Sequence, residues 1–182
     1  MAEHVCPWWG GYFIDNPLRR LLHNPEKILG LYVKPGMTAV DIGCGIGFCS
    51  IAMARMVGGD GKVIAVDLQQ KMLDVLLKRA RKADVAERIE THRCDADNLG
   101  VDTAVDFGLA FMMVHEVPDT KRLLQQVQGC LKPGGRFFVA EPRIHVPAAQ
   151  FEAMVKTAEE VGLKVSEQPH VRWCRAAVFA RQ

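Results

Sequence analysis

An acid set immediately before a glycine-rich turn governs how this chain can fold. The run VDIGCGIGF occupies residues 40–48, with Asp41 followed by Gly43, Gly45 and Gly47. An apolar stretch leads into it, and an apolar helical pattern, SIAMARMV, comes out of it. Strand, acidic end, glycine turn and helix together open a nucleotide-binding βαβ unit. Glycine serves there because the backbone must turn tightly and let a ligand approach where a Cβ would collide.

The rest of the chain repeats this alternation. Strands are predicted at 38–42, 63–66, 89–93, 107–113 and 136–140, with helices at 47–57, 69–83, 120–131 and 148–161 between or after them. The stretch 107–113 is almost wholly apolar, as a central strand buried on both faces must be. Lys132-Pro133-Gly134-Gly135 is read as stopping the helix before the fifth strand. Two last strands, 163–167 and 176–180, have no helix between them, so they pair antiparallel. The expected fold is α/β and Rossmann-like: a parallel sheet with helices on both faces and one reversed strand near an edge. One domain accounts for all 182 residues. Residues 38–182 form its core and 1–37 a cover segment. In that segment Asn16-Pro17 and Asn24-Pro25 mark two short helices, 17–23 and 25–31. The aromatics Trp8, Trp9, Tyr12 and Phe13 cluster without helical period.

Composition removes several functions. A net charge of +2 with no basic block does not suit a nucleic-acid binder. No apolar run is long enough to span a membrane, and the N-terminus lacks the pattern of a secretory leader, so the expected location is cytoplasmic. The six cysteines are scattered without a C-x-x-C pair, which indicates neither a zinc site nor a disulfide framework. Cys6, Cys44 and Cys174 have no spacing that supports thiol-mediated metalloid chemistry. Met53, Met56 and Met72 read as core.

Two features set the ligand class. The third glycine of a dinucleotide fingerprint would fall at position 48, where Phe48 stands. Asp41 would repel a pyrophosphate and suit a cation. S-adenosylmethionine carries an ammonium and a sulfonium and no phosphate. Asp67, ending the second strand, can accept from both ribose hydroxyls. Asp95, ending the third, can accept from an adenine amine.

With these residues in view, the chain resembles a class I S-adenosylmethionine-dependent methyltransferase of the ubiquinone/menaquinone-biosynthesis-type, small-molecule group, over about residues 33–182. The resemblance rests on VDIGCGIGF, VIAVDL, CDAD, DFGLAFMMVHEVPD and LKPGGRFFVAEP. It implies a seven-stranded sheet of order 3-2-1-4-5-7-6 with strand 7 reversed. It implies that Asp41 orients the methionine ammonium, that Gly43, Gly45 and Gly47 admit the methionine portion, and that Asp67 holds the ribose. Leu68 and Ala96 would flank the adenine with Asp95 at its amine, and Phe111 and Met112 would line the methyl donor. Asp97 is read as bracing its loop.

The reaction so implied is in-line methyl transfer, which needs alignment and exclusion of water more than acid–base chemistry. His115 is the base candidate because imidazole titrates near neutrality, and its alternative role is to support the fold. Tyr12, Glu116, Glu141 and Arg143 are candidate acceptor contacts, with His145 beside them; the alternative for Glu141, Arg143 and His145 is a solvated turn. Tyr12, Trp8 and Trp9 form either a lid or packing against the sheet. Arg172-Trp173-Cys174-Arg175 is either an anion contact or a surface turn. The Asn/Asp-Pro-Pro-aromatic turn of many amino-methylating enzymes is absent, and no long insertion follows the fifth strand. The acceptor site is therefore built by the first 37 residues, completed by a second copy in a homodimer, or left open for a bulky acceptor. A small-molecule acceptor is the leading reading. The alternatives are a macromolecular acceptor, RNA or protein, and a non-catalytic S-adenosylmethionine-binding partner subunit.

Overall fold

The structure is a computed structural model that describes residues 22–182. Its elements are α1 (Pro25–Leu29), β1 (Thr38–Ile42), α2 (Ser50–Val57), β2 (Lys62–Asp67), α3 (Gln70–Lys82), β3 (Ile89–Arg93), β4 (Val105–Phe111), α4 (Thr120–Cys130), β5 (Leu131–Pro142), α5 (Ala148–Glu160), β6 (Leu163–Glu167) and β7 (Cys174–Arg181). Short 3-10 turns lie at Ala86–Arg88 and Val114–Glu116. The predicted helix at 17–23 and the aromatics at 8–13 lie outside the described residues, apart from the last residues of that helix.

Seven strands form one sheet of order β3-β2-β1-β4-β5-β7-β6. The first five pair in parallel, and β7 runs antiparallel to both β5 and β6. Side chains alternate with the period of the pleat. Ala39, Val63, Phe107, Leu109, Phe138 and Val178 face one layer, where they meet Met53, Leu73 and Leu76 of α2 and α3. Val40, Val66, Ala110, Phe137, Val139 and Phe179 face the other, where they meet Leu124 of α4 and Phe151 of α5. Asn24 caps α1 by accepting the Lys27 N–H at 3.0 Å, with Pro25 at the first helical position. Leu29, Tyr32 and Val33 then bury themselves in the first layer.

The structure corrects four sequence-based boundaries. Helix α2 starts at Ser50 rather than 47, because Gly47 has a φ of 88° that no helix can include. Strand β4 stops at Phe111 rather than 113, because Met112 turns into the left-handed region at φ 62°. Strand β5 starts at Leu131: the Pro-Gly-Gly run interrupts pairing without ending the strand, so Leu131 pairs with Val105 and Arg136 with Phe107 across a register shift. Strand β7 begins at Cys174, leaving only Arg172 and Trp173 of the basic-aromatic cluster in a turn.

A Cβ added to Gly47 would stand 2.7 Å from Leu76 Cγ, so this glycine lets α2 and α3 meet. Gly47→Ala should cost about 1–2 kcal/mol from the left-handed backbone alone, and more from the clash. Gly59 has open space around it, and Gly59→Ala should stay within about 0.5 kcal/mol of the parent. Urea unfolding midpoints of the two variants check this.

Candidate active site

Parallel strands deliver all their C-terminal ends to one edge of the sheet. On that edge lies a cavity of about 830 Å³, walled by the loops after β1, β2, β3 and β4 and by the segment after β5. Asp41, Gly43, Gly45, Asp67, Leu68, Asp95, Ala96, Phe111, Met112, His115 and Glu116 all line it. Its residue set is thus most of the one predicted from sequence. Gly47 is not on the wall and packs against Leu76 instead. Glu141 and Arg143 are not on the wall either. Tyr12 lies outside the described residues.

Three ties hold the glycine loop in shape. The Cys44 N–H donates to the Val66 carbonyl at 3.0 Å. The Gly45 N–H donates to Asp67 Oδ2 at 2.9 Å. Arg79 reaches from α3 to the Ile46 carbonyl at 2.8 Å. Gly45 has a φ of 53°, and nothing stands within 4 Å of where its Cβ would be, so on the cavity wall it leaves room for a ligand.

Asp41 is 2 % exposed and accepts from the Ser50 hydroxyl at 2.5 Å. Ser50, the first residue of α2, was not singled out from sequence. Its place one turn beyond the glycines was the available signal. Asp67 accepts the Gly45 and Gln69 N–H groups, one on each oxygen. A carboxylate has about four acceptor sites, so each oxygen keeps capacity for a hydroxyl. Burial raises the Asp67 pKa above the ordinary carboxylate range, and the backbone donors oppose that shift. Asp95 is exposed and pairs through its backbone with Asn98. Asp97 meets Arg122 of α4 at 3.3 Å, and Gln126 donates to the Asp97 carbonyl. Those contacts brace the loop as expected.

The loop after β4 is built on Glu141, at the end of β5. This carboxylate is 2 % exposed. Its Oε1 accepts the Met113 and Val114 N–H groups at 3.1 and 2.9 Å. Its Oε2 accepts the His115 N–H at 3.3 Å and lies 2.5 Å from His115 Nδ1. Glu141 therefore stands behind the wall and shapes it, rather than facing an acceptor. The Arg143 Nε donates to the Cys174 carbonyl at 3.1 Å, tying the post-β5 segment to β7. His145 stacks parallel on His115 at 5.6 Å between ring centroids, and both rings line the cavity.

The wall carries six carboxylates, Asp41, Asp67, Asp95, Asp97, Glu116 and Asp119, against one guanidinium, Arg122. Such a cleft concentrates cations and disfavours phosphate. The thiols of Cys44, Cys49 and Cys94 also line it. Burial, with Asp41 and Asp67 nearby, pushes the Cys44 pKa up, and burial raises Cys94 to about 11.

A fold of this order, with acids at three strand ends around a glycine loop, is that of the class I methyltransferases. The methyltransferase-domain family model matches residues 33–176, and the chain belongs to that family. A demethylmenaquinone methyltransferase of Lactobacillus johnsonii is 36 % identical over 112 residues, 61 % of this chain and 46 % of that protein. A 27-O-demethylrifamycin SV methyltransferase of Amycolatopsis mediterranei is 32 % identical over 139 residues, 75 % of this chain and 50 % of its own length. The chain thus spans about half the length of these relatives. The solved structure of a SAM-dependent methyltransferase from Aquifex aeolicus superposes with a TM-score of 0.88 at 24 % identity, covering 98 % of this chain and all of that one.

The hydrogen bond that the His115 ring donates to Glu141, opposed by burial, raises the His115 pKa above 6.5. A raised histidine pKa stabilises the fold below the unfolded value, and that stability is lost as pH rises through the folded value. The stability advantage of the parent over His115→Asn should therefore be largest below about pH 6.5 and shrink at higher pH. Urea titrations from pH 5.5 to 8.5 read it directly.

Proposed function

We propose that this chain is a methyltransferase domain that uses S-adenosylmethionine to methylate a small-molecule acceptor. The observation that carries this reading is the acidic cavity at the strand ends, with six carboxylates and one guanidinium on its wall. That acidic set of acceptors fits a cationic, phosphate-free cofactor. The volume lies in the range of small-ligand sites.

Asp41 and the Gly43–Gly45 backbone would hold the charged methionine portion, and the open face of Gly45 gives it room. Asp67 would take the ribose hydroxyls on its remaining acceptor sites. Leu68 and Ala96 would flank the adenine with Asp95 at its amine, and Phe111 and Met112 would border the reacting end. The bound cofactor supplies a methyl carbon on a sulfonium with a neutral thioether as leaving group. The chain's own task is to hold an acceptor in line behind that carbon and to keep water out. Pro142, Ile144 and His145 border the cavity beside His115 and Glu116, and there an acceptor would lie. The small-molecule assignment draws support from the names of the relatives and from the near-neutral charge, which disfavours RNA. No helix among the described residues is long and apolar enough to cross a membrane. The five described cysteines are free thiols, in keeping with a cytoplasmic enzyme.

S-adenosylmethionine or S-adenosylhomocysteine at a hundred times its Kd should stabilise the protein by about 2.7 kcal/mol, a Tm rise of roughly 5–10 °C for a chain this long. NAD should give none. A response to NAD alone overturns the cofactor assignment. Asp67→Ala should abolish the rise, and unchanged affinity by calorimetry would remove Asp67 from the site.

A further inference from the structure

Glu141 and His115 form a hydrogen-bonded unit that the cofactor contacts proposed above do not use. The carboxylate is nearly inaccessible to solvent, yet it gathers three successive backbone N–H groups and one imidazole nitrogen. The chain adopts a left-handed residue, Met112, to present those groups, and the Met112 N–H still donates to the Ala140 carbonyl at 2.7 Å. A non-glycine residue at such a φ is uncommon and costs free energy that its surroundings must repay. With Nδ1 turned to Glu141, the ring has Nε2 left to act on the cavity it lines. His145, stacked on the ring, holds its plane.

We propose that Glu141 is a positioning residue that fixes His115 as a general base with Nε2 toward the acceptor, and that the acceptor is therefore a weak acid, X–H, bearing the proton on the atom to be methylated, as a phenol-like hydroxyl does. The inference rests on the methyltransferase reading above. An acceptor that is already a free nucleophile, such as a thioether or a tertiary amine, has no proton for this base to take. In the step, Nε2 takes the proton from X–H. The X lone pair forms the new bond to the methyl carbon, and the pair of the broken C–S bond returns to sulfur, leaving a neutral thioether. The proton leaves His115 for solvent. A carboxylate behind Nδ1–H favours this tautomer and stabilises the imidazolium that forms. Among the described residues, the charged and titratable groups facing His115 are Glu141 from β5, Glu116 on its own turn and His145 from the segment after β5; Glu141 and Glu116 both raise its pKa.

The test separates positioning from mere support of the loop. In Glu141→Gln one oxygen can still accept the Met113 and Val114 N–H groups, while the amide NH₂ faces Nδ1 and inverts the tautomer. Histidine-labelled protein saturated with S-adenosylhomocysteine is titrated by NMR, with His115→Asn assigning the resonance. The parent should show the Nδ1–H tautomer and a pKa above 6.5, and Glu141→Gln should lower that pKa by about one pH unit. An unchanged pKa and tautomer in Glu141→Gln overturn the proposal. Methyl transfer from labelled donor into a cell extract, followed from pH 5.5 to 9, adds the catalytic readout. The parent rate should fall off below the His115 pKa. Glu141→Gln should move that limb to lower pH and cut the plateau about a hundredfold. A uniform loss at all pH values, with the limb in place, makes Glu141 purely structural and overturns the proposal. Failure of the parent to bind S-adenosylhomocysteine by calorimetry sinks the methyltransferase reading instead, and the titration without ligand still decides whether Glu141 sets the His115 tautomer.

Discussion

A carboxylate at the end of a buried strand cannot be left without hydrogen bonds, because burying an unpartnered charge costs several kcal/mol. Asp41, Asp67 and Glu141 are each 9 % exposed or less, and each draws its bonds from the loop or helix start that follows a strand. Asp41 takes the hydroxyl at the start of α2. Asp67 takes N–H groups from the glycine loop and from the residues before α3. Glu141 takes three N–H groups of the turn after β4. The loops that wall the cavity are therefore shaped by the acids beneath them. Parallel topology puts all three on one edge, so satisfying them also builds the site.

The relation to the methyltransferase family follows from that edge. The match covers residues 33–176 and includes every strand up to the beginning of β7. Relatives about twice as long share this portion, while the Aquifex aeolicus structure of matching extent shows that the fold also occurs at this size. Within the described residues, the acceptor end of the cavity is furnished by two short segments, the turn after β4 and the stretch after β5. Their mutual bonding through Glu141 shapes that end of the cavity.

Sheet order and the residues that line the strand-end cavity were readable because strand periodicity and acids at strand ends are local signals. Asp41 and Asp67 lie at the ends of apolar runs and Asp95 follows the third strand, and the topology carries all three to the same place. Glu141 was misread as an acceptor contact because its role is set by a neighbour far away in sequence. Phe111 pairs with Ala140, which puts Glu141 against the residues just beyond β4. Strand adjacency, already implied by the resemblance, held that information. The same contact ended β4 early: Phe-Met-Met-Val reads as continuous strand, but the backbone turns at Met112 to serve a distant carboxylate. The resemblance assigned Gly47 to ligand approach, whereas its missing Cβ makes room for Leu76. A glycine's reason for being small is visible only once its neighbours are.

The thiols on the cavity wall carry a consequence of a different kind. A sulfonium is an alkylating agent, and a thiolate within reach would compete with the intended acceptor for its methyl group. Cys44 and Cys94 stand on the wall of the room where such a group would sit. Only the thiolate is strongly nucleophilic, and at neutral pH burial keeps both groups protonated, with carboxylates nearby adding to the effect. Burial first, and second the acids that would attract a cationic donor, would keep the wall's own sulfur from consuming it. The wall would so keep its cysteines without losing methyl groups to them.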